Sequence, residues 1–215
     1  QPRVLKLWEK FKIVRIGASI DGMGEVIEYQ RHPARWKTIL KNLQTIDSLG
    51  KNVQAWLACT VTTLNVFHMP DFMKWKIKES GFKKINSGKK LPILTIHVAH
   101  SPSHACIKSL PLEMKQLVRE KYDKFKDWLI QENLDPKIEQ AALKIINSIV
   151  DFMMSEDTSS KWGWFKEYTR QLDKLRNQNI IDVVPEYEPY FTGRNLQILE
   201  EDIQAIKDSR EQVNA

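Results

Sequence analysis

The sequence predicts an α/β fold, a partial parallel (β/α) barrel followed by a helical extension. Three observations carry this expectation: short β-branched runs ended by Gly, Asp or Pro signals, amphipathic stretches of helical period between them, and a change to helical periodicity alone after Pro111. Strands that alternate with helices make βαβ units, because parallel neighbours can be joined only by a crossover long enough to hold a helix.

In chain order, Val4, Leu5, Leu7, Trp8 and Phe11 form an amphipathic opening without a leader pattern, and the start at Gln1 reads as cut from something longer. Residues 12–19 (KIVRIGAS) form a first strand, closed by Asp21, Gly22 and Gly24. Pro33 stands in the first turn of a helix with Trp36, Ile39, Leu40, Leu43, Ile46 and Leu49 at helical spacing and Gly50 as its stop. A second strand over 53–61 (VQAWLACTV) leads to a second helix over 70–80, ended by Gly81. A short strand over 82–85 and a third main strand over 92–99 (PILTIHVA) follow. Helical periodicity then occupies 112–130, 136–154 and 161–178, and 195–213 is an amphipathic tail helix with Leu196, Leu199, Ile203 and Ile206 on one side.

The division this implies is a barrel half over 1–132, with its first long helix packed on the sheet, and a helical extension over 133–215. Three parallel strands leave an open edge and an uncovered face, so more strands are expected from elsewhere.

Composition sets limits on function. Hydrophobic residues make up 42% and charged residues 28%, so the chain has the apolar content to fold and lies outside the disordered class. Residues 1–90 carry 17 Lys or Arg against 7 acids, a net of +10, and the remainder 16 against 20, a net of −4. The basic half suits phosphates, nucleic acid or an acidic partner, but solvated Lys-rich loops over 74–78 and 83–90 explain it as well and are preferred to a nucleic-acid surface. Two cysteines, Cys59 and Cys106, suffice neither for a disulfide framework nor for a four-thiolate metal site, and point to a reducing, cytoplasmic setting. No apolar run nears the ~20 residues that span a bilayer.

In βα architectures chemistry gathers at the C-terminal ends of the strands, which directs attention to 19–31, 60–68 and 97–109. The first loop reads Ser19-Ile20-Asp21-Gly22-Met23-Gly24, then Glu28-Tyr29-Gln30-Arg31, with Trp36 and Asn42 beyond. The second strand ends Thr60-Val61-Thr62-Thr63-Leu64-Asn65, with Met69-Pro70-Asp71 after it. The third ends His100-Ser101-Pro102-Ser103 and runs on to Leu110-Pro111. Phe165, Tyr168, Leu172, Asp173 and Arg176, then Val184-Pro185-Glu186, close the series.

Taken in this order over residues 12–187, these segments resemble the C-terminal half of radical S-adenosylmethionine (SAM) iron-sulfur enzymes of the SPASM or twitch group. The resemblance implies SAM and a [4Fe–4S] cluster as cofactors of the intact protein, and a 5′-deoxyadenosyl radical that abstracts hydrogen. It places Ser19 and Asp21 at the ribose of SAM, Arg31 at its methionyl carboxylate and Asn65 near the nucleoside. A hydroxyl and a carboxylate at a strand end suit a ribose diol, and a guanidinium pairs with a carboxylate through two bonds. His100, Ser101 and Cys106 would line the substrate pocket, the substrate being a peptide, a sugar or another small molecule.

The family's CxxxCxxC loop has no counterpart in this chain, nor do its C-terminal auxiliary-cluster cysteines. The expected partner is therefore a missing N-terminal half-barrel, on the same polypeptide or a split subunit, and the chain alone is expected to be inactive. The plain alternative for the first loop is a turn shaped by Ser19 and Asp21, with Arg31 paired to Glu28.

Other constellations are weaker. Gly17, Gly22 and Gly24 are spaced unlike a dinucleotide fingerprint. His97, His100, His104 and Cys106 have the chemistry of zinc ligands, but His97 and His100 stand three apart at a strand end, where side chains alternate faces. Cys59 reads as a small buried hydrophobe, while Cys106 lies in a loop on the active face beside Lys108. Trp162, Trp164, Phe165 and Tyr168 read as core before stacking platform. Alternatives to the enzyme are a non-catalytic half-barrel that binds a peptide or subunit at its open edge and, behind it, a basic nucleic-acid-binding domain.

Overall fold

A computed structural model describes residues 2–86 and 93–192. After a short opening helix, α1 (Pro2–Trp8), comes strand β1 (Val14–Ser19), then helices α2 (Gly24–Gln30) and α3 (Trp36–Ser48) and strand β2 (Val53–Val61). Helix α4 (Met69–Lys74) passes without a break into a π-helical turn, Trp75–Glu79, and strand β3 (Thr95–Val98) follows. Helices α5 (Leu112–Gln131), α6 (Pro136–Met154) and α7 (Trp162–Arg176) form the second half, with the short α8 (Ile180–Val183) and α9 (Glu188–Phe191) behind them. The tail helix expected over 195–213 lies outside the described residues.

The chain is α/β: the three strands form one parallel sheet in the order β1-β2-β3. Val14 pairs with Val53 and Ser19 with Ala58, while Ala58 pairs with Thr95 and Val61 with Val98, which brings the C-terminal ends of all three strands to one side. β2 shows the period of two in its burial, with Val53, Ala55, Leu57, Cys59 and Val61 in the core and Gln54, Trp56, Ala58 and Thr60 on the other face. That second face continues into exposed Arg15, Gly17 and Ser19 of β1 and exposed His97 of β3.

The core is one contiguous apolar cluster. It joins β2 to Phe72 and Met73 of α4, to Val118, Phe125 and Leu129 of α5, to Ile145, Ile146 and Ile149 of α6, and to Phe165 and Tyr187. Two buried phenols tie these helices to the loop after β2, Tyr122 donating to the Val66 carbonyl at 2.8 Å and Tyr187 to the Thr63 carbonyl at 2.5 Å. Trp162 and Phe165 are core, stacked on each other at 4.7 Å and set against Tyr187, whereas Tyr168 is exposed.

Helix ends follow local chemistry. Pro136 occupies the first turn of α6 behind Asp135, whose carboxylate accepts from Lys137 N. α7 stops at Asn177 in the left-handed conformation, φ 51°.

Two expectations change. The loop expected between β1 and the first long helix contains α2, and α3 begins at Trp36, after Pro33; its first N–H is capped from outside by Glu28 Oε1 at 2.8 Å. The strand expected over 82–85 does not form. The N–H groups of Lys83, Lys84 and Ile85 go instead to the Asp47 carboxylate of α3 at 2.8 to 2.9 Å, so a side chain has taken the place of a ladder partner. The next residue, Asn86, holds that edge of β2 with its own N–H on the Ala55 carbonyl and its side-chain oxygen on Leu57 N.

Candidate functional site at the strand tips

The tips of β1 and β2 are bound to each other by the residues the sequence singled out. Asp21 follows β1 and is only 3% exposed. One of its oxygens accepts from Thr60 N, at the end of β2, at 2.7 Å; the other accepts from Arg31 Nε at 2.6 Å and lies 2.6 Å from a terminal nitrogen of the same guanidinium. The pair is charge-assisted, with two guanidinium nitrogens on a single carboxylate oxygen. Arg31 meets Asp21, not Glu28, which is engaged with Trp36 N and Arg35.

Asn65, fully buried, lies on the other side of the same junction. Its amide nitrogen donates to the Asp21 carbonyl at 2.7 Å and to the Thr60 carbonyl at 3.0 Å, and its oxygen accepts from Thr62 N at 2.8 Å. Asp21, Arg31 and Asn65 thus form one network between two strand ends, and most of its capacity is spent within the protein. Ser19 stands apart from these bonds, on the last residue of β1 with its side chain on the exposed face. Arg31 keeps 43% of its side chain exposed, so Ser19 and the outer edge of Arg31 are the groups presented to solvent.

Sequence reading missed His68. Its Nε2 accepts the Met23 N–H at 3.1 Å, which fastens the loop between β1 and α2 to the turn before α4. Burial pushes its pKa down to about 4; Asp71 and Glu186 oppose that and Lys121 adds to it. The signal lay in Gly22: a Cβ there would stand 3.0 Å from the imidazole, a tight contact, so the glycine eases the approach of the ring to the loop.

The motif residues further along are fasteners too. The Tyr29 hydroxyl, buried on α2, donates to Asp173 of α7 at 2.7 Å, and the other Asp173 oxygen accepts from Ile180 N at 3.0 Å. Arg176 donates to the Tyr29 carbonyl at 3.3 Å. Burial, with the Asp173 carboxylate beside it, raises the phenol far above its ordinary value and keeps it a donor.

The third strand tip joins the second through the Ala105 carbonyl, which accepts from Thr63 N at 3.0 Å, and lies outside the Asp21 network. His100 and Ser101 are exposed, with the His100 ring edge-on to Phe152 at 4.9 Å, and Cys106 is buried behind them. His97 lies on the exposed sheet face, while His104 rests on Tyr168 at 5.1 Å, with its pKa lowered by burial. Cys59 is fully buried with its sulfur 3.7 Å from that of Met69; burial, then the Asp21 charge, raise its pKa and hold it as a thiol, although Arg31 works against this.

For a cluster, the donor set does not fit: the described residues hold no group of three or more His, Cys, Asp or Glu that could bind a metal ion, and Cys59 is a buried thiol. For a polar organic ligand, the hydroxyl of Ser19 and the free edge of Arg31 do fit. No helix among the described residues is long and apolar enough to cross a membrane. Comparisons of the chain with protein-family models, with curated proteins and with solved structures find no match.

Proposed function

We propose that this chain is the C-terminal part of a radical SAM enzyme of the SPASM or twitch group, supplying one wall of the SAM and substrate pocket from the tips of β1, β2 and β3. The observation that carries the reading is the junction of Asp21, Arg31 and Asn65 between two parallel strand ends, with Ser19 beside it on the open sheet face. These are the positions at which βα proteins bind cofactors. The radical chemistry of hydrogen abstraction would come from SAM and a reducing cluster held by other residues of the intact protein, while this chain's residues would bind and orient SAM.

In this reading the four residues divide by role. Ser19 is the hydroxyl offered to the ribose and Arg31 the cation offered to the methionyl carboxylate. Asp21 and Asn65 are positioning residues, since their polar atoms are committed to Arg31 and to the backbone of the tips. The open face carries Arg15, Ser19, Gln54, Thr60 and His97 around Trp56 and Ala58, a mixed surface where a buried sheet face would be apolar throughout, and this supports a second set of strands as partner around a wet cavity.

The test is anaerobic expression of the longer reading frame with iron and sulfide reconstitution, followed by assay for SAM cleavage. Cleavage is expected from the complete protein and not from the 215-residue chain alone. Ser19→Ala and Arg31→Met, both at exposed positions, should each weaken SAM binding about tenfold, the loss of one charge-assisted or hydroxyl contact, without changing iron content. A complete protein that binds SAM equally well with both substitutions would overturn the assignment. The unpaired outer edges of β1 and β3 among the described residues favour, as a second reading, a non-catalytic half-sheet that takes up a peptide or subunit strand. A reading frame that starts immediately before Gln1 and yields no SAM cleavage would support it.

A further inference from the structure

Residues 80–83, Ile85 and Ile93 border a cavity at the end of the sheet away from the strand tips: Asn86 pairs with Ala55 and Leu57 in the first half of β2, and Ile93 just precedes β3. The cavity measures about 280 Å³ and is lined by Lys76, Lys78, Phe82, Lys83, Ile85 and Ile138 among others, with no acidic side chain among its lining residues. The π-helical turn builds one wall. Ser80 N donates five residues back to the Trp75 carbonyl at 2.9 Å, and Gly81, φ +62°, then turns the chain across the opening.

Lys76 is the unusual residue of this wall. It is 9% exposed, its ammonium lies 5.7 Å over the Phe82 ring, and among the described residues no carboxylate or carbonyl reaches it at hydrogen-bond or ion-pair distance. Asp47, the acid that acts on it, is already saturated by the N–H groups of Lys83, Lys84 and Ile85. Burial lowers the Lys76 pKa as a consequence. Of the other two lysines, Lys78 is paired with Glu132 and Lys83 is exposed. The Lys76 stem is buried while its ammonium, held only by the Phe82 ring face, still reaches the cavity, and an anion seated there would gain a cation largely stripped of water.

We propose that this cavity binds a small organic monocarboxylate with a compact apolar body, its carboxylate on Lys76 and its body against Phe82, Ile85 and Ile138. One largely buried lysine among the isoleucines of the lining matches a single negative charge joined to hydrocarbon; a phosphate group would leave most of its charge facing apolar wall. The volume is at the small end of ligand cavities, which limits the ligand to an aryl or short branched acid. This site is independent of the strand-tip reading and stands or falls alone.

Calorimetric titration of the 215-residue chain with sodium phenylacetate and sodium hexanoate, each beside its uncharged amide and beside inorganic phosphate, tests it. The carboxylates should bind with Kd below about 1 mM and the amides at least about tenfold more weakly. Lys76→Met, which keeps the apolar stem, should lose about tenfold or more in carboxylate affinity while leaving the melting temperature unchanged or higher. Ile138→Trp should abolish binding by filling the cavity from α6, and carries the test if Lys76→Met fails to fold. Equal affinity for acid and amide, undiminished binding in the variants, tighter binding of phosphate, or no binding of either carboxylate would each overturn the proposal.

Discussion

His68 shows how one side chain can couple a loop to pH. Its Nε2 must be unprotonated to accept the Met23 N–H, and its folded pKa of about 4 lies below the ordinary 6.5. The unfolded chain therefore binds the proton more readily, so the stabilisation is fully present above about pH 6.5 and is lost as pH falls from there towards 4. The span corresponds to a loss of about 3 kcal/mol at most. Chemical denaturation at pH 7.5 and pH 5 should show the wild-type chain losing stability on acidification and His68→Gln, which keeps an acceptor but does not titrate, losing less; equal losses would remove His68 from this role. At Asp21 the residue type was legible and its use was not. A carboxylate after a strand reads as a ligand or as a turn former, and only the positions of Thr60 and Arg31 show it serving as the bond between two strand ends.

Between elements, the clearest bond joins α2 to α7. Tyr29 is a buried hydroxyl on one helix and Asp173 a carboxylate that also receives the first N–H of α8, so the tyrosine fixes α7 and the turn after it together. Removing the hydroxyl leaves Asp173 with one donor fewer in a half-buried site. Tyr29→Phe should cost about 1.5 to 3 kcal/mol in denaturant unfolding, and Tyr29→Phe combined with Asp173→Asn should be less than additive, the coupling marking a direct contact. Additive losses would show that the two residues act separately. Element existence was legible where periodicity was long: β2 and α6 lie at the boundaries the sequence predicts, because alternation over 53–61 and an apolar stripe over 136–154 are unambiguous. The segment 82–85 was not, since four residues of mixed polarity carry too little pattern to show that Asp47 claims their N–H groups.

At the scale of the whole molecule, the buried cluster runs without interruption from Ile20 through α5 and α6 to Tyr187, and Tyr187 bonds directly to the loop after β2. A chain ended at residue 132 would leave the apolar faces of β2 and α5 without Ile145, Ile149, Phe165 and Tyr187. Such a truncation should lose cooperative thermal unfolding and bind a hydrophobic dye, whereas retention of a sharp transition would show that the first half folds alone. The sequence by itself determined the α/β class of the fold, its three main strands, its long helices and the residues that stand at the strand ends, because those follow from periodicity and turn chemistry, which are local. The tertiary structure decided which polar groups remain for a ligand. Hydrogen-bond partners such as Asp21 with Asn65, or Tyr29 with Asp173, are far apart along the chain, and whether a side chain is spent or free depends on what the fold brings within 3 Å of it.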